Sequence, residues 1–128
     1  MATDLTRLPL RGQQGSFHVV VESPRGSTVK LKYDTALQAF SISRPLTRGL
    51  RYPFDWGFIP STKGPDGDPL DAMPHLQTYQ QLSKRERDEL EHFFLAAVHF
   101  ADKDARILGW EGPEGAERML RQYALPEG

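Results

Sequence analysis

The sequence predicts an α+β protein of one domain, residues 1–128. Three observations carry that prediction. From Phe17 to Ile59 the chain consists of short runs with β-branched residues and partial alternation, the texture of strands. After Leu82 the apolar residues fall at helical spacing. Strands followed by helices, rather than alternating with them, is the order of an α+β chain, and 128 residues suit one compact core.

Each element follows in turn. "FHVVVE" (17–22), "TVKLKY" (28–33) and "AFSIS" (39–43) read as three strands of a meander, separated by the turn-forming stretches "SPRGS" and "DTALQ". Residues 44–74 then carry Pro45, Pro53, Pro60, Pro65, Pro69 and Pro74, too many for a central strand or a helix interior, so this segment reads as loop with a short strand at "WGFI". Its aromatic residues Tyr52, Phe54, Trp56 and Phe58 argue against disorder, and long ordered loops in compact domains tend to be functional. "SKRERDELEHFFLAAVHFADKD" (83–104) opens with a capping box, Ser83 and Glu86, and puts Leu90, Phe93, Phe94, Ala97, Val98 and Ala101 on one stripe. "ARILGW" (105–110) reads as a last short strand. "PEGAERMLRQYAL" (113–125) reads as a second helix, with Pro113 near N1 and Ala116, Met119, Leu120 and Tyr123 on one face.

Charge and cysteine content bound the function. Lys+Arg 16 against Asp+Glu 17 gives a net charge of -1, which exerts no overall pull on nucleic acid or an anionic membrane. Absence of cysteine excludes disulfides, thiolate nucleophiles and Cys-based metal sites, and fits a reducing compartment. The opening "MATDLTRLPLRGQQGS" has no apolar core of the signal-peptide kind, and no run approaches a membrane span, so a cytoplasmic protein is expected.

The densest chemistry lies in "GPDGDPLDAMP" (64–74), which sets Asp66, Asp68 and Asp71 among Gly67 and Pro69. Aspartate beside Gly and Pro is first of all a turn former. An EF-hand loop starting at Asp66 would need Gly and Glu at its sixth and twelfth positions, where Asp71 and Gln77 stand, so that calcium motif is excluded. Clustered carboxylates also suit Mg²⁺, which takes one or two carboxylates and leaves its other positions to water and substrate phosphate. A phosphate ligand would require cations nearby. Lys30 and Lys32, two apart on one strand face, with Arg44, Arg48 and Arg51, are the candidates, though any one of them alone reads more simply as a surface charge.

Taken in order, Glu22 in "VVVESP", Lys30, Arg44, Tyr52 in "YPFDWGFIP" and then "DGDPLD" resemble the soluble family I inorganic pyrophosphatases, from about Val19 to Met73, with weaker likeness at "LEHFF" and "GWEG". The resemblance implies an OB-like β-barrel with C-terminal helices and hydrolysis of pyrophosphate to two phosphates by a Mg²⁺-activated water, in a homo-oligomer. It further implies Asp66 and Asp71 as Mg²⁺ ligands, Asp68 as the base beside the attacking water and a further metal contact, and Glu22 at the border of the metal cluster. Lys30 and Arg44 would bind phosphoryl groups, and Tyr52 would bound the acidic site. Lys32 stands where the family usually has Glu, and Trp56 where it usually has Tyr. The family also continues after Met73 into further strands and ligands with no candidate here between Asp71 and Asp88. The barrel is therefore expected to be incomplete: the chain is either a natural short form or lacks a segment near Met73 to His75. Tyr79, His99 and Lys103 are candidate substitutes for a phosphate-facing Tyr-Lys pair. The rival reading is a non-catalytic module whose cations and rings, including Arg48, Arg51 and Phe54, grip single-stranded nucleic acid; three aspartates in the groove make nucleic acid the less expected partner.

Overall fold

The computed structural model describes residues 3–74, 79–97 and 110–126. Its elements are strands β1 (Val20–Ser23), β2 (Val29–Asp34), β3 (Ala39–Pro45), β4 (Trp56–Phe58) and β5 (Asp71–Ala72), then helices α1 (Lys84–Ala97) and α2 (Pro113–Tyr123). The predicted α+β order holds.

The hairpin β2–β3 forms as its sequence suggests. The Asp34 carboxylate accepts hydrogen bonds from the N–H groups of Ala36 and Leu37, at 2.9 and 3.0 Å, which closes the turn. Gln38 takes the left-handed conformation that returns the chain to β3. Lys30 lies opposite Arg44, Leu31 opposite Ile42 and Tyr33 opposite Phe40, with a bulge between the first two pairs.

The expected three-strand meander does not form. β1 leaves the hairpin and pairs with β4, which in turn pairs with β5, giving a separate sheet of order β1-β4-β5. Two features explain this. Side chains of β1 occupy the main chain of β2: Ser23 Oγ accepts from Leu31 N–H at 3.0 Å and donates to Leu31 C=O at 3.2 Å, while Glu22 accepts from Tyr33 N–H at 2.7 Å. On the other side Gly57 lets β4 come close, because a Cβ there would sit 1.8 Å from the Val20 carbonyl oxygen. The strand β5, absent from the sequence prediction, completes the sheet with Phe58 opposite Asp71 and Gly57 opposite Ala72. Among the described residues the two sheets do not close into one ring, and no strand follows β5 before α1.

Helix α1 begins at the predicted capping box: Ser83 Oγ accepts from Glu86 N–H and Glu86 accepts from Ser83 N–H. Leu90 and Phe93 are buried, and Phe93 joins Leu46 and Tyr52 in a core against which Trp56, Phe94 and Ala97 pack. Its predicted continuation and most of the predicted strand fall at 98–109, outside the described residues. In α2, Pro113 does open the helix, but the inward face differs in part from the one expected. Leu120 and Tyr123 turn inward as expected, but Ala116 and Met119 are exposed, and the sheltered side takes in Gly115 and Glu117, whose carboxylate Arg11 holds with two guanidinium nitrogens. No helix among the described residues is long and apolar enough to cross a membrane.

Candidate active site

Between the hairpin, the three-stranded sheet and α1 lies a cleft of about 310 Å³. Its acidic side is formed by Glu22 of β1, Asp71 of β5, and Asp66 and Asp68 of the loop before β5. Facing them are Lys30 and Lys32 of β2 and Arg44 of β3. Tyr52 and Trp56 form part of the wall. The residues to which the resemblance gave a role, Glu22, Lys30, Arg44, Tyr52, Asp66, Asp68 and Asp71, all line this one cavity. Arg48, Arg51 and Phe54 do not line it; Arg51 donates to the Gly26 carbonyl instead, and Phe54 lies under Arg25. Of the cations and rings named for the nucleic-acid reading, Lys30, Lys32, Arg44, Tyr52 and Trp56 line the cleft and Arg48, Arg51 and Phe54 do not. Lys103 and His99 lie outside the described residues, as does the side chain of Tyr79.

Turn chemistry and site chemistry coincide in the acidic loop. Asp66 Oδ1 accepts from Asp68 N–H at 3.0 Å, the Asp68 carbonyl accepts from Gly64 N–H at 2.7 Å, and Gly67 takes the left-handed conformation. Both main-chain groups of Asp68 are thus fixed, which sets the direction in which its side chain leaves the loop. The loop's exit is held by Thr62, whose buried hydroxyl accepts from Leu70 N–H at 3.0 Å and donates to the Ile59 carbonyl at 2.7 Å.

Glu22 is held above the usual carboxylate range. Burial is the largest cause, and the negative charge of Asp71 adds to it; the Tyr33 N–H bond and the Lys32 and Lys30 charges pull the other way. Tyr52 is likewise raised, mainly by burial, against the opposing bond to Ser23 and the charge of Arg44. Glu22 and Asp71, whose negative charges act on each other, form a place that a cation would relieve, and an all-oxygen donor set suits a hard divalent ion. Among the described residues no three His, Cys, Asp or Glu side chains are gathered into a closed cage. The residues fit an ion that takes one or two protein carboxylates and leaves its remaining positions open.

Contributions that the sequence did not disclose come from α1 and Ser23. Phe93, Phe94 and Ala97 line the cleft, with the Phe93 ring 4.9 Å from that of Tyr52 and Phe94 4.9 Å from Trp56. The doublet "FF" on a predicted apolar stripe was the available signal, but a stripe does not say which cavity it borders. Arg44, besides lining the cleft, donates from Nη2 to the carbonyl of Ala97 in the last turn of α1.

Comparison with known proteins adds a likeness by sequence. Residues 19–76 match the family model described as inorganic pyrophosphatase. Over that stretch, a little under half of its length, the chain is similar to the inorganic pyrophosphatases. Inorganic pyrophosphatases of Synechocystis and Thermus thermophilus are 43% identical over 70 residues and 51% identical over 65, matches that cover 55% and 51% of this chain. These matches span 41% and 37% of the relatives' own lengths, less than half of each. A third relative, the inorganic pyrophosphatase of Methanosarcina acetivorans, is 26% identical over 147 aligned positions, covering 81% of this chain and 88% of its own length; the aligned positions outnumber the residues of this chain, so that relative has residues without a counterpart here. The fold likeness reaches further along the chain. The crystal structure of the Thermus thermophilus inorganic pyrophosphatase superposes with a TM-score of 0.81 at 26% identity, covering 93% of this chain and 95% of that one. The Helicobacter pylori enzyme superposes with 0.78, a likeness of fold alone at 22% identity.

Proposed function

We propose that this chain hydrolyses inorganic pyrophosphate to two phosphates, with Mg²⁺ as its metal. The observation supporting the reading is the gathering of Glu22, Asp66, Asp68 and Asp71 opposite Lys30 and Arg44 in one cleft. Asp66 and Asp71 would supply the ion's carboxylates, with Glu22 at the border of the metal position and Asp68 beside the ion's water. A divalent cation in that place acidifies water and offsets phosphate charge. Lys30 and Arg44 bind the phosphoryl oxygens and stabilise the charge that shifts onto them as the bridging P–O bond breaks. Asp68 accepts the proton of the attacking water at its carboxylate while the water oxygen forms the new P–O bond. Tyr52, wedged against Phe93, bounds the acidic side and keeps it from widening. The likeness to that family extends the reading to a cytoplasmic homo-oligomer, which sedimentation and cell fractionation would check.

Phosphate release from pyrophosphate, measured with and without Mg²⁺, tests the reading. A positioned general base contributes ~10²–10⁴-fold, so Asp68→Asn should lower turnover by about that factor while leaving the fold intact. Lys30→Ala should weaken substrate binding as well as turnover, since a phosphate clamp acts on ground and transition states alike. Hydrolysis by Asp68→Asn at the parent's rate, or a parent with no Mg²⁺-dependent release, would overturn the assignment.

A further inference from the structure

We propose that Lys32 is a specificity-determining residue that recognises a third phosphoryl group, so that the cleft favours a linear inorganic triphosphate over pyrophosphate. The inference rests on the hydrolase reading and names the substrate class of the same site. Lys30 and Arg44 are cross-strand neighbours and form one cationic level, sufficient for a two-phosphoryl ligand. Lys32 follows two residues along β2 on the same face, about 7 Å further on, and its cross-strand neighbour Ser41 is neutral. The strip of positive charge therefore extends one step beyond the pair.

Exposure orders these cations along the cleft. Lys30 and Arg44 are half-buried, whereas Lys32 is exposed and still lines the cavity, which puts it at the mouth. A ligand whose first two phosphoryl groups occupy the inner level presents its third there. The Glu22 carboxylate lies within electrostatic reach of both lysines, Lys32 ahead of Lys30, and one of its oxygens already accepts the Tyr33 N–H, so it can occupy only part of an ammonium that carries three donors. The Lys32 ammonium thus retains donors for an oxyanion arriving from outside. Its flexible stem lets it follow a chain that leaves the cleft.

The test uses methylene-bridged diphosphonate and triphosphonate, which cannot be hydrolysed, titrated calorimetrically into the full chain in the presence of Mg²⁺. The triphosphonate should bind more tightly than the diphosphonate, and Lys32→Met should weaken the triphosphonate roughly tenfold while changing the diphosphonate less than about twofold. Lys32→Arg should restore the preference. An equal loss for both probes would make Lys32 a general source of positive potential and overturn the inference, as would no change in either. Binding of the diphosphonate with no triphosphonate preference in the parent sinks the inference alone, leaving the pyrophosphatase reading in place. Failure of the parent to bind either probe overturns both.

Discussion

Replacement of Gly57 by Ala should both destabilise the fold and spread the acidic half of the site. An added Cβ would lie 1.8 Å from the Val20 carbonyl oxygen, 2.7 Å from its carbon and 2.8 Å from the Val21 Cα, all main-chain atoms that no rotamer change can move. Relief to ordinary contact requires β1 and β4 to part by about 1.5 Å. Overpacking of this kind costs about 1–3 kcal/mol, and weakening the β1–β4 ladder adds about 1 kcal/mol for each hydrogen bond lost. A total of about 3 kcal/mol is expected, which at a urea dependence of about 1.5 kcal/mol/M moves the unfolding midpoint down by about 2 M. Because β4 also carries β5, the shift separates Glu22 from Asp71, so the folded variant should bind Mg²⁺ less tightly than the parent. Gly112 supplies the control: nothing lies within 4 Å of its added Cβ and its φ is -80, so Gly112→Ser at the N-cap of α2 should alter stability by no more than a few tenths of a kcal/mol. A Gly57→Ala midpoint equal to that of the parent would refute the close approach of β4 to β1 and the explanation given for the sheet order.

Ser23→Ala removes a fully buried hydroxyl that satisfies both main-chain groups of Leu31, so a loss of about 1–3 kcal/mol is expected in urea unfolding, with Ser23→Thr the milder change. Millimolar Mg²⁺ should raise the melting temperature by binding the folded state, and the double substitution Asp66→Asn, Asp71→Asn should abolish the rise; an undiminished rise would place the ion elsewhere.

The local patterns were legible, and the pairings were not. Alternation located β1, β2 and β3 to within a few residues, the capping box placed the start of α1, and Pro113 the start of α2. Period-2 patterning names a strand without naming its partner, and here the partner of β1 was decided by a missing Cβ at Gly57 and by side-chain bonds from Glu22 and Ser23. The two-residue β5 starts two positions after Pro69 and has no propensity signal of its own; it is a strand because Phe58 and Gly57 pair with it. In α2 the helical period was read correctly and Leu120 and Tyr123 do turn inward, whereas Ala116 and Met119 stay exposed. The candidate site residues line one cleft, and the signal that grouped them was carboxylates, lysines and arginine in a fixed order along the chain.

The cleft draws its two charges from different sheets. Lys30, Lys32 and Arg44 ride on the β2–β3 hairpin, whereas Glu22 and Asp71 ride on the sheet of β1, β4 and β5. The width between anion-binding and cation-binding sides is therefore an inter-sheet distance, set by whatever ties the sheets together. Two ties are visible. At the floor, Ser23 and Glu22 bond the main chain of β2. At the rim, Arg44 fastens β3 to α1 through the Ala97 carbonyl, and α1 in turn seats Phe93 and Phe94 on Tyr52 and Trp56. A phosphate drawn to Arg44 shares the guanidinium with the Ala97 carbonyl, and a guanidinium has donors enough for both. Helix and hairpin thus meet at a residue that also faces the substrate's position, which gives α1 a part in the site although no side chain of its described residues carries a charge into the cleft.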